Sequence, residues 1–312
     1  MEVVQSLTDL KNRYDNIIVA IGNFDGVHRG HRQLIHEVLK AAAEIKGTPV
    51  VLTFEPHPLK VLKPRQSLPL LLTTQRKINI IAACGIEVLV LLPFNLNVAG
   101  MDPLGFVHEV LYDSLNAKIV CVGYNFTFGQ SGKGTPSLLQ TYGRQFGFQV
   151  VVIPPVNVSG IVVSSTAVRE ALTQGDIKRA RSYLGYWPIL EGKVVSGEGR
   201  GRHLGFPTAN LVVDRDILLP PRGVYIARAE LEGQWFTAVV NIGYKPTFGS
   251  NLPETIEIHI LDFGGDLYGK YLLLELRQKI RSEQKFNDIE ELVGQINKDI
   301  LTTRYYFSII TP

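Results

Sequence analysis

Two histidines, His28 and His31, stand three residues apart in the stretch GNFDGVHRGH, which follows the apolar run IIVAI. If the run is a strand and a helix begins near His31, the pair lies where free backbone N–H groups attract phosphate. Gly22, Gly26 and Gly30 allow close approach of the backbone to a ligand. Imidazole rings there could donate hydrogen bonds to phosphates and stabilise charge developing on a leaving pyrophosphate. A pair of partly exposed capping histidines and a pair of metal ligands are the alternatives.

Three further stretches bring polar groups to similar positions. VSSTAVREAL places hydroxyls at the start of a helical pattern and an arginine one turn later, which suits phosphate. FEPHP and GYNFTFG each follow an apolar run, and open α/β sheets bind ligands where strands end. The polar residues of these stretches are Ser164, Ser165, Thr166, Arg169, His57 and Asn125.

A glycine-rich loop, GEGRGRHLGFPTANL, lies in the second half of the chain. Its glycines expose backbone N–H groups, its arginines add positive charge, and the threonine and asparagine of PTAN carry hard oxygens suited to Mg²⁺. A flexible hairpin is the alternative for such a loop taken alone. The residues expected to bind phosphate or metal are Gly199, Gly201, Arg202, Gly205, Thr208 and Asn210.

The segment TIEIHIL, residues 255–261, alternates as a strand does. Its isoleucines point to one face, and Glu257 and His259 point to the other. A solvated sheet face is one interpretation. Beside a phosphate loop, Glu257 is a candidate base for a hydroxyl nucleophile.

Residues 1–185 alternate short apolar runs with helical patterns, which predicts an α/β domain with a parallel, Rossmann-like sheet covered by helices. A helix is predicted over Arg32–Ile45, and Asp102-Pro103 and Thr135-Pro136 are typical of an N-cap followed by proline. Asp176 is expected to cap a helix that stops at Gly185. The predicted strands are Asn16–Ile21, Pro49–Phe54, Glu87–Leu92, Lys118–Val122 and Phe148–Ile153.

Residues 186–312 show strand following strand with Gly and Pro at the turns, which predicts an antiparallel β-barrel. A last helix is predicted from a cap at Asn287, with Glu290 three residues later, to about Ile300. The predicted strands are Leu190–Ser196, Gly223–Leu231, Trp235–Ile242, Thr255–Asp262 and Tyr271–Arg281.

Bulk properties narrow the class of protein. A net charge of +3 is too small an excess to argue for nucleic acid as a partner. Cys84 and Cys121 lie in apolar surroundings and are expected to be free thiols in a reducing cytoplasm. The N-terminus has no signal-peptide pattern, and no apolar run approaches the ~20 residues that span a bilayer.

GNFDGVHRGH resembles the signature of nucleotidyltransferases with an HxGH-type motif, which join a nucleoside monophosphate to a phosphate-bearing acceptor and release pyrophosphate. VSSTAVREAL resembles that family's Ser-Ser-Thr-x-x-Arg stretch, and GYNFTFG resembles its nucleotide loop. The resemblance implies catalytic roles for His28, His31 and Arg169. It implies ATP or phosphate binding by Gly22, Phe24, Asp25, Gly30, His57, Asn125, Ser164, Ser165 and Thr166.

GRGRHLGFPTANL, GVYIA, NIGYKPTFG, EIHILDFGGDLYGK and RSEQKF together resemble the riboflavin kinase domain, in that family's order. The resemblance implies that Thr208 and Asn210 hold Mg-ATP and that Glu257 deprotonates the ribityl 5′-hydroxyl. It also implies that Arg281 lies near the flavin.

Over nearly its whole length the chain resembles the prokaryotic bifunctional riboflavin kinase/FMN adenylyltransferases, also called FAD synthetases. This resemblance implies riboflavin, FMN and ATP as small-molecule partners, FMN and FAD as products, Mg²⁺ as cofactor, and neither nucleic acid nor membrane as partner. The alternatives are a nucleotidyltransferase of other specificity fused to a flavin-binding barrel, and a non-catalytic flavin or nucleotide sensor. The oligomeric state stays open.

Overall fold

A computed structural model of the chain describes residues 1–10, 13–66, 69–196, 201, 204–244 and 254–309. The chain divides into two compact units, residues 1–165 and 166–312. This division falls earlier than the predicted boundary at 185, so two helices before that boundary are grouped with the second unit. The boundary at 185 stays a prediction about the two catalytic domains.

The first unit is built on a parallel sheet with six strands in the described residues, in the order β1-β4-β3-β2-β5-β6. The chain proceeds from β2 through β3 to β4 on one side and places β5 and β6 on the other. A switch point therefore lies at the carboxyl end of β2, where open α/β sheets bind ligands. The strands are β1 (Glu2–Val4), β2 (Ile18–Ile21), β3 (Pro49–Glu55), β4 (Val88–Pro93), β5 (Ile119–Gly123) and β6 (Gln149–Ile153).

Strand β2 explains why the run IIVAI is apolar throughout. Val19 and Ile21 belong to the core on one face of the sheet, and Ile18 and Ala20 belong to the core on the other. A strand of a parallel sheet is covered on both faces, so every position is buried. The five predicted strands of this unit are confirmed within one or two residues at each end.

The helices of the first half follow the predicted caps with one correction. Asp102 and Thr135 cap helices that have proline at the first position. The first helix begins at Arg29 and not at Arg32, because the His28 side chain is the N-cap. The helices are α1 (Arg29–Ile45), α2 (Pro58–Leu62), α3 (Thr74–Ala83), α4 (Leu96–Gly100), α5 (Pro103–Phe106, continued by the π-helical Val107–Ser114) and α6 (Pro136–Phe146).

Short elements lead from the sheet into the second unit. A hairpin of β7 (Asn157–Val158) and β8 (Ile161–Val162) precedes α7 (Ser165–Thr173) and α8 (Ile177–Leu184). Helix α8 has the predicted cap Asp176 and ends at Gly185 in the left-handed conformation.

The second unit contains a closed antiparallel barrel, as predicted, in the order β10-β13-β12-β11-β14-β9. One strand, β10, was not predicted, because it is short and directly follows the glycine-rich loop. It closes the barrel by pairing with both β9 and β13. The strands are β9 (Ile189–Val195), β10 (Ala209–Val213), β11 (Gly223–Leu231), β12 (Gln234–Tyr244), β13 (Glu254–Ile260) and β14 (Tyr271–Arg281).

The last helix, α9 (Ile289–Ser308), is capped by Asp288, so the predicted cap at Asn287 was wrong by one residue. The Asp288 carboxylate accepts the Glu291 N–H at 2.7 Å, while the Glu291 carboxylate accepts the Asn287 N–H at 2.9 Å. This reciprocal pair is a capping box shifted by one position. The helix also runs past the predicted end at Ile300, and buried Thr303 donates to the Asp299 carbonyl.

A buried ion pair ties α9 to the barrel. The Asp299 carboxylate, 4% exposed, receives three hydrogen bonds from the Arg281 guanidinium at 2.8–3.1 Å. Breaking a buried pair leaves an uncompensated charge, so we expect Asp299→Ala to lower the free energy of unfolding by on the order of 3–5 kcal/mol. Urea unfolding followed by circular dichroism measures this loss.

The exposed pair between Arg304 and Asp262, which joins α9 to the turn after β13, supplies the control. Because water screens exposed charges, Asp262→Asn is expected to leave the unfolding midpoint unchanged. An equal loss of unfolding free energy in the two variants would contradict the role assigned to the buried pair.

Candidate active sites

The loop between β2 and α1 carries the first candidate site, and hydrogen bonds from several segments hold it. The Asn23 carbonyl accepts from Thr53 Oγ1 at 3.1 Å and from Lys77 Nζ at 3.3 Å. The Asp25 carboxylate accepts the Leu71 N–H at 3.0 Å, and the Asp25 carbonyl accepts from Ser165 Oγ at 2.8 Å. The loop is therefore fixed by contacts with β3, with α3 and the segment before it, and with the start of α7.

The backbone of this loop is strained. Phe24 and Val27 have φ angles of 50° and 33°, although neither is glycine, and both side chains are fully buried. Such conformations persist only where the surroundings over-determine them, and they cluster at functional sites. A Cβ at Gly22 would stand 3.3 Å from the Phe24 ring, and one at Gly30 would stand 3.2 Å from the His28 ring. These two glycines thus leave room for the rings that shape the loop.

The two histidines are stacked, with ring centroids 3.7 Å apart and planes 14° from parallel. His28 Nδ1 accepts the backbone N–H of His31 at 3.3 Å, so neutral His28 carries its proton on Nε2. His28 is thus a buried N-cap of α1. Its contact with a phosphate stays a prediction.

His31 has no such anchor. Its Nδ1 is buried and has no hydrogen-bond partner in the described part of the chain. Burial lowers the pKa of His31 well below its usual value, and electrostatic interactions with His28 and Lys77 lower it further. A neutral imidazole with an unsatisfied polar atom is poised to bind a ligand group, since buried polar atoms are normally paired.

The other predicted residues of this site occupy strand ends and helix starts. His57 caps α2 and accepts the Leu59 N–H at 3.2 Å, while Asn125 is exposed in the turn after β5. Ser164 and Ser165 precede and begin α7. Thr166 and Arg169 follow in that helix, within the second unit. Phosphate binding by these residues stays a prediction.

Lys77 was missed by the sequence analysis, although it contacts the same loop. It lies on the buried side of α3 together with Ile81, four residues later. That spacing is the signal that could have revealed it, because residues four apart share a helix face.

The second candidate site lies on the outer face of the barrel. Asn210 of β10 and Asn241 of β12 are both in register with Glu257 of β13, which lies between them. The neighbours of all three along their strands are buried in the barrel core, so the three polar side chains share the opposite face. Directly opposed residues have Cβ atoms about 4.5–5.5 Å apart, which brings Glu257 beside both asparagines. Asn241 was not identified from the sequence.

Asn210 has a buried Oδ1 without a hydrogen-bond partner among the described residues. An unpaired hard oxygen beside a carboxylate fits a divalent cation. A Cβ at Gly201 would stand 3.1 Å from Thr208 Oγ1, so the glycine allows the loop to pack closely on Thr208. Gly205 has a φ of 85°, which glycine adopts readily. Gly199 and Arg202 lie outside the described residues.

His259 holds the PTAN segment against the strand of Glu257. Its Nδ1 is 2.9 Å from the Pro207 carbonyl, which can only accept, so this nitrogen carries the proton. Arg281, expected near the flavin, is engaged with Asp299, and its flavin contact stays a prediction. In the described residues no group of three or more His, Cys, Asp or Glu is arranged to hold a metal ion.

The first part of the chain is an α/β sheet with a loop of two histidines at its switch point. The second part is a barrel with a carboxylate between two asparagines. Together these two sites define an enzyme of the phosphate-transfer class. Family models describe the same two parts: FAD synthetase matches residues 10–167 and riboflavin kinase matches residues 184–307. The chain belongs to the bifunctional riboflavin kinase/FMN adenylyltransferase family and has the family's domain order.

Relatives of this chain match over its full length. It is 34% identical to the bifunctional riboflavin kinase/FMN adenylyltransferase of Escherichia coli K12, with 100% of both chains covered. It is 37% identical to that of Bacillus subtilis 168, over 96% of this chain and 95% of the other. A solved Streptococcus pneumoniae structure, described as a macrolide-efflux protein, is 33% identical with a TM-score of 0.88 and coverage of 97% and 98%. Across the described ranges, none of the helices is long and apolar enough to cross a bilayer.

Proposed function

We propose that the barrel unit phosphorylates riboflavin and that Glu257 is its base. The Glu257 carboxylate takes the proton of the riboflavin 5′-hydroxyl, and the oxygen attacks the γ-phosphate of ATP to give FMN and ADP. The register of Glu257 with Asn210 is the observation that carries this proposal, because a carboxylate in that position lies beside an unpaired oxygen suited to the metal of Mg-ATP.

Thr208 and Asn210 would hold Mg²⁺ at this site. When bound, the ion neutralises charge on the phosphates of ATP. His259 positions these two residues through its hydrogen bond to Pro207.

The sheet unit adenylylates FMN in the proposed second step. The FMN phosphate attacks the α-phosphate of a second ATP and gives FAD and pyrophosphate. A phosphate dianion is already a good nucleophile, so the protein supplies positioning and charge stabilisation instead of a strong base. His28 and His31 face the leaving pyrophosphate, and Ser165 at the start of α7 binds phosphate oxygens.

The substrates and the cysteines support a cytoplasmic location for the protein. Riboflavin, FMN and ATP are small intracellular molecules, and the free thiols Cys84 and Cys121 suit a reducing cytoplasm. Burial raises the pKa of the Cys121 thiol to about 12, so this cysteine stays protonated and unreactive.

Product analysis tests the two steps together. Riboflavin incubated with ATP and Mg²⁺ is expected to yield FMN and then FAD, separated by chromatography. Because both steps act on a triphosphate, removing divalent ions with EDTA should stop both, and excess Mg²⁺ should restore both. Either product forming at full rate in EDTA contradicts the proposed metal requirement of that site. Replacing ATP with CTP tests the alternative, a nucleotidyltransferase of other specificity. That alternative would be favoured if FMN and ATP gave no FAD.

A further inference from the structure

Lys77 is buried in the sheet unit, with 4% of its surface exposed. Lysine is almost never fully buried unless its ammonium group has a specific partner, because the charge loses its hydration. The two proposed reaction steps give this residue no task, so its burial calls for another physical reason.

The partner of the ammonium group is the loop that carries the stacked histidines. Lys77 Nζ donates to the Asn23 carbonyl at 3.3 Å, and Thr53 Oγ1 donates to the same oxygen at 3.1 Å. Two side chains, one from α3 and one from β3, thus hold the same carbonyl of the loop. Asn23 directly precedes Phe24, the first of the two non-glycine residues that have positive φ angles in this loop.

Nearby carboxylates favour the charged form of Lys77 but bind other donors. Burial lowers the pKa of Lys77, Glu55 and Asp25 act against that change, and Lys60 adds to it. Glu55 Oε2 accepts from Thr74 Oγ1 at 2.6 Å, and Asp25 Oδ1 accepts the Leu71 N–H at 3.0 Å. These bonds keep both carboxylates in place while the ammonium group donates to the loop.

We propose that Lys77 is a positioning residue for adenylyl transfer, which holds the loop through Asn23 so that His28 and His31 meet the phosphates. The inference rests on the proposed function of the sheet unit. The loop would otherwise relax from its strained backbone, and the stacked rings would move with it. A shift of about 1 Å in a catalytic constellation can cost about 10²-fold in rate.

A second consequence concerns the protonation of His31. Burial is the main cause that lowers the pKa of His31, and electrostatic interactions with His28, at the cap of the same helix, and with Lys77 of α3 lower it further. Removing the ammonium group removes one of these interactions, so the pKa of His31 should rise.

The main variant is Lys77→Met, which keeps an unbranched apolar stem and removes the charge and the donor. We expect kcat for FAD formation from FMN to fall about 10²-fold with KM for ATP little changed. Riboflavin phosphorylation should continue at the wild-type rate. The His31 ring, followed by NMR titration, should protonate at a higher pH than in the wild-type protein.

Three further variants separate the hydrogen bond from the charge. Thr53→Val removes the other donor to Asn23 and should lower kcat without moving the His31 titration. Lys77→Gln keeps an N–H donor without charge and should recover part of the rate lost in Lys77→Met, while the His31 titration stays raised. Lys40→Met, at an exposed position of α1, is the matched control and should change neither measurement.

Two results would overturn the positioning role. One is wild-type kcat for FAD formation in both Lys77 variants. The other is a lower kcat with an unmoved His31 titration in both variants, which would mean that Lys77 only stabilises the fold. If the wild-type protein itself makes no FAD from FMN and ATP, the proposed function fails, and this result is distinct from either of the others.

Discussion

Glu257→Gln is expected to lower the rate of FMN formation from riboflavin by about 10²–10⁴-fold. Glutamine keeps the shape of the side chain but cannot take the proton of the attacking hydroxyl. Asn210 and Asn241 stay opposite the residue, so the neighbouring side chains and the barrel are preserved. The loss should therefore appear in kcat more than in the binding of ATP.

The measurement is a pair of time courses. With riboflavin as substrate the variant should produce almost no FMN, whereas with FMN supplied it should produce FAD at the wild-type rate. Glu232→Gln, in the exposed turn between β11 and β12, makes the same chemical change away from the site and should leave both rates unchanged. Wild-type kinase activity in Glu257→Gln would remove the residue from the role of base.

His31→Ala is expected to stop the pathway at FMN. In the proposed mechanism the ring faces charge that develops on pyrophosphate, and losing one preorganised donor costs on the order of 10²–10³-fold in rate. Interactions made only in the transition state affect turnover more than substrate binding. The affinity of the sheet unit for ATP should therefore weaken only modestly, and the kinase should be unaffected.

A time course from riboflavin with both flavins quantified tests this expectation. His36→Ala, at an exposed position of the same helix, is the matched control and should form FAD normally. His28→Ala should behave like His31→Ala and also lose the N-cap of α1, a cost of about 1 kcal/mol in stability. Normal FAD accumulation in His31→Ala would assign the pair to capping alone.

Local patterns predicted most elements because their signals are short-range. The apolar run before Gly22 and the Asp-Pro and Thr-Pro pairs each depend on a few neighbouring residues, and the structure confirms them. The elements that were not predicted are those whose secondary structure depends on a tertiary contact. β1 is three residues long and is defined by its pairing with β4, and β10 is defined by the strands on either side of it.

The start of α1 was placed late for a related reason. Histidine is a poor sequence signal for an N-cap, since Ser, Thr, Asp and Asn dominate that position. His28 takes the position because the loop, held by Thr53, Lys77 and Ser165, presents its ring to the His31 N–H. The cap is thus a product of the folded loop.

The sequence by itself determined the order of the two parts, the parallel and antiparallel patterns, and the residue types at each site. These follow from side-chain periodicity and from motifs whose members are near each other in the chain. Only the tertiary structure decided that Asn210, Glu257 and Asn241 are aligned across three strands, that Arg281 is paired with Asp299, and that a buried lysine holds the histidine loop. Strand register and side-chain burial depend on residues far apart in the chain, so no local pattern contains them.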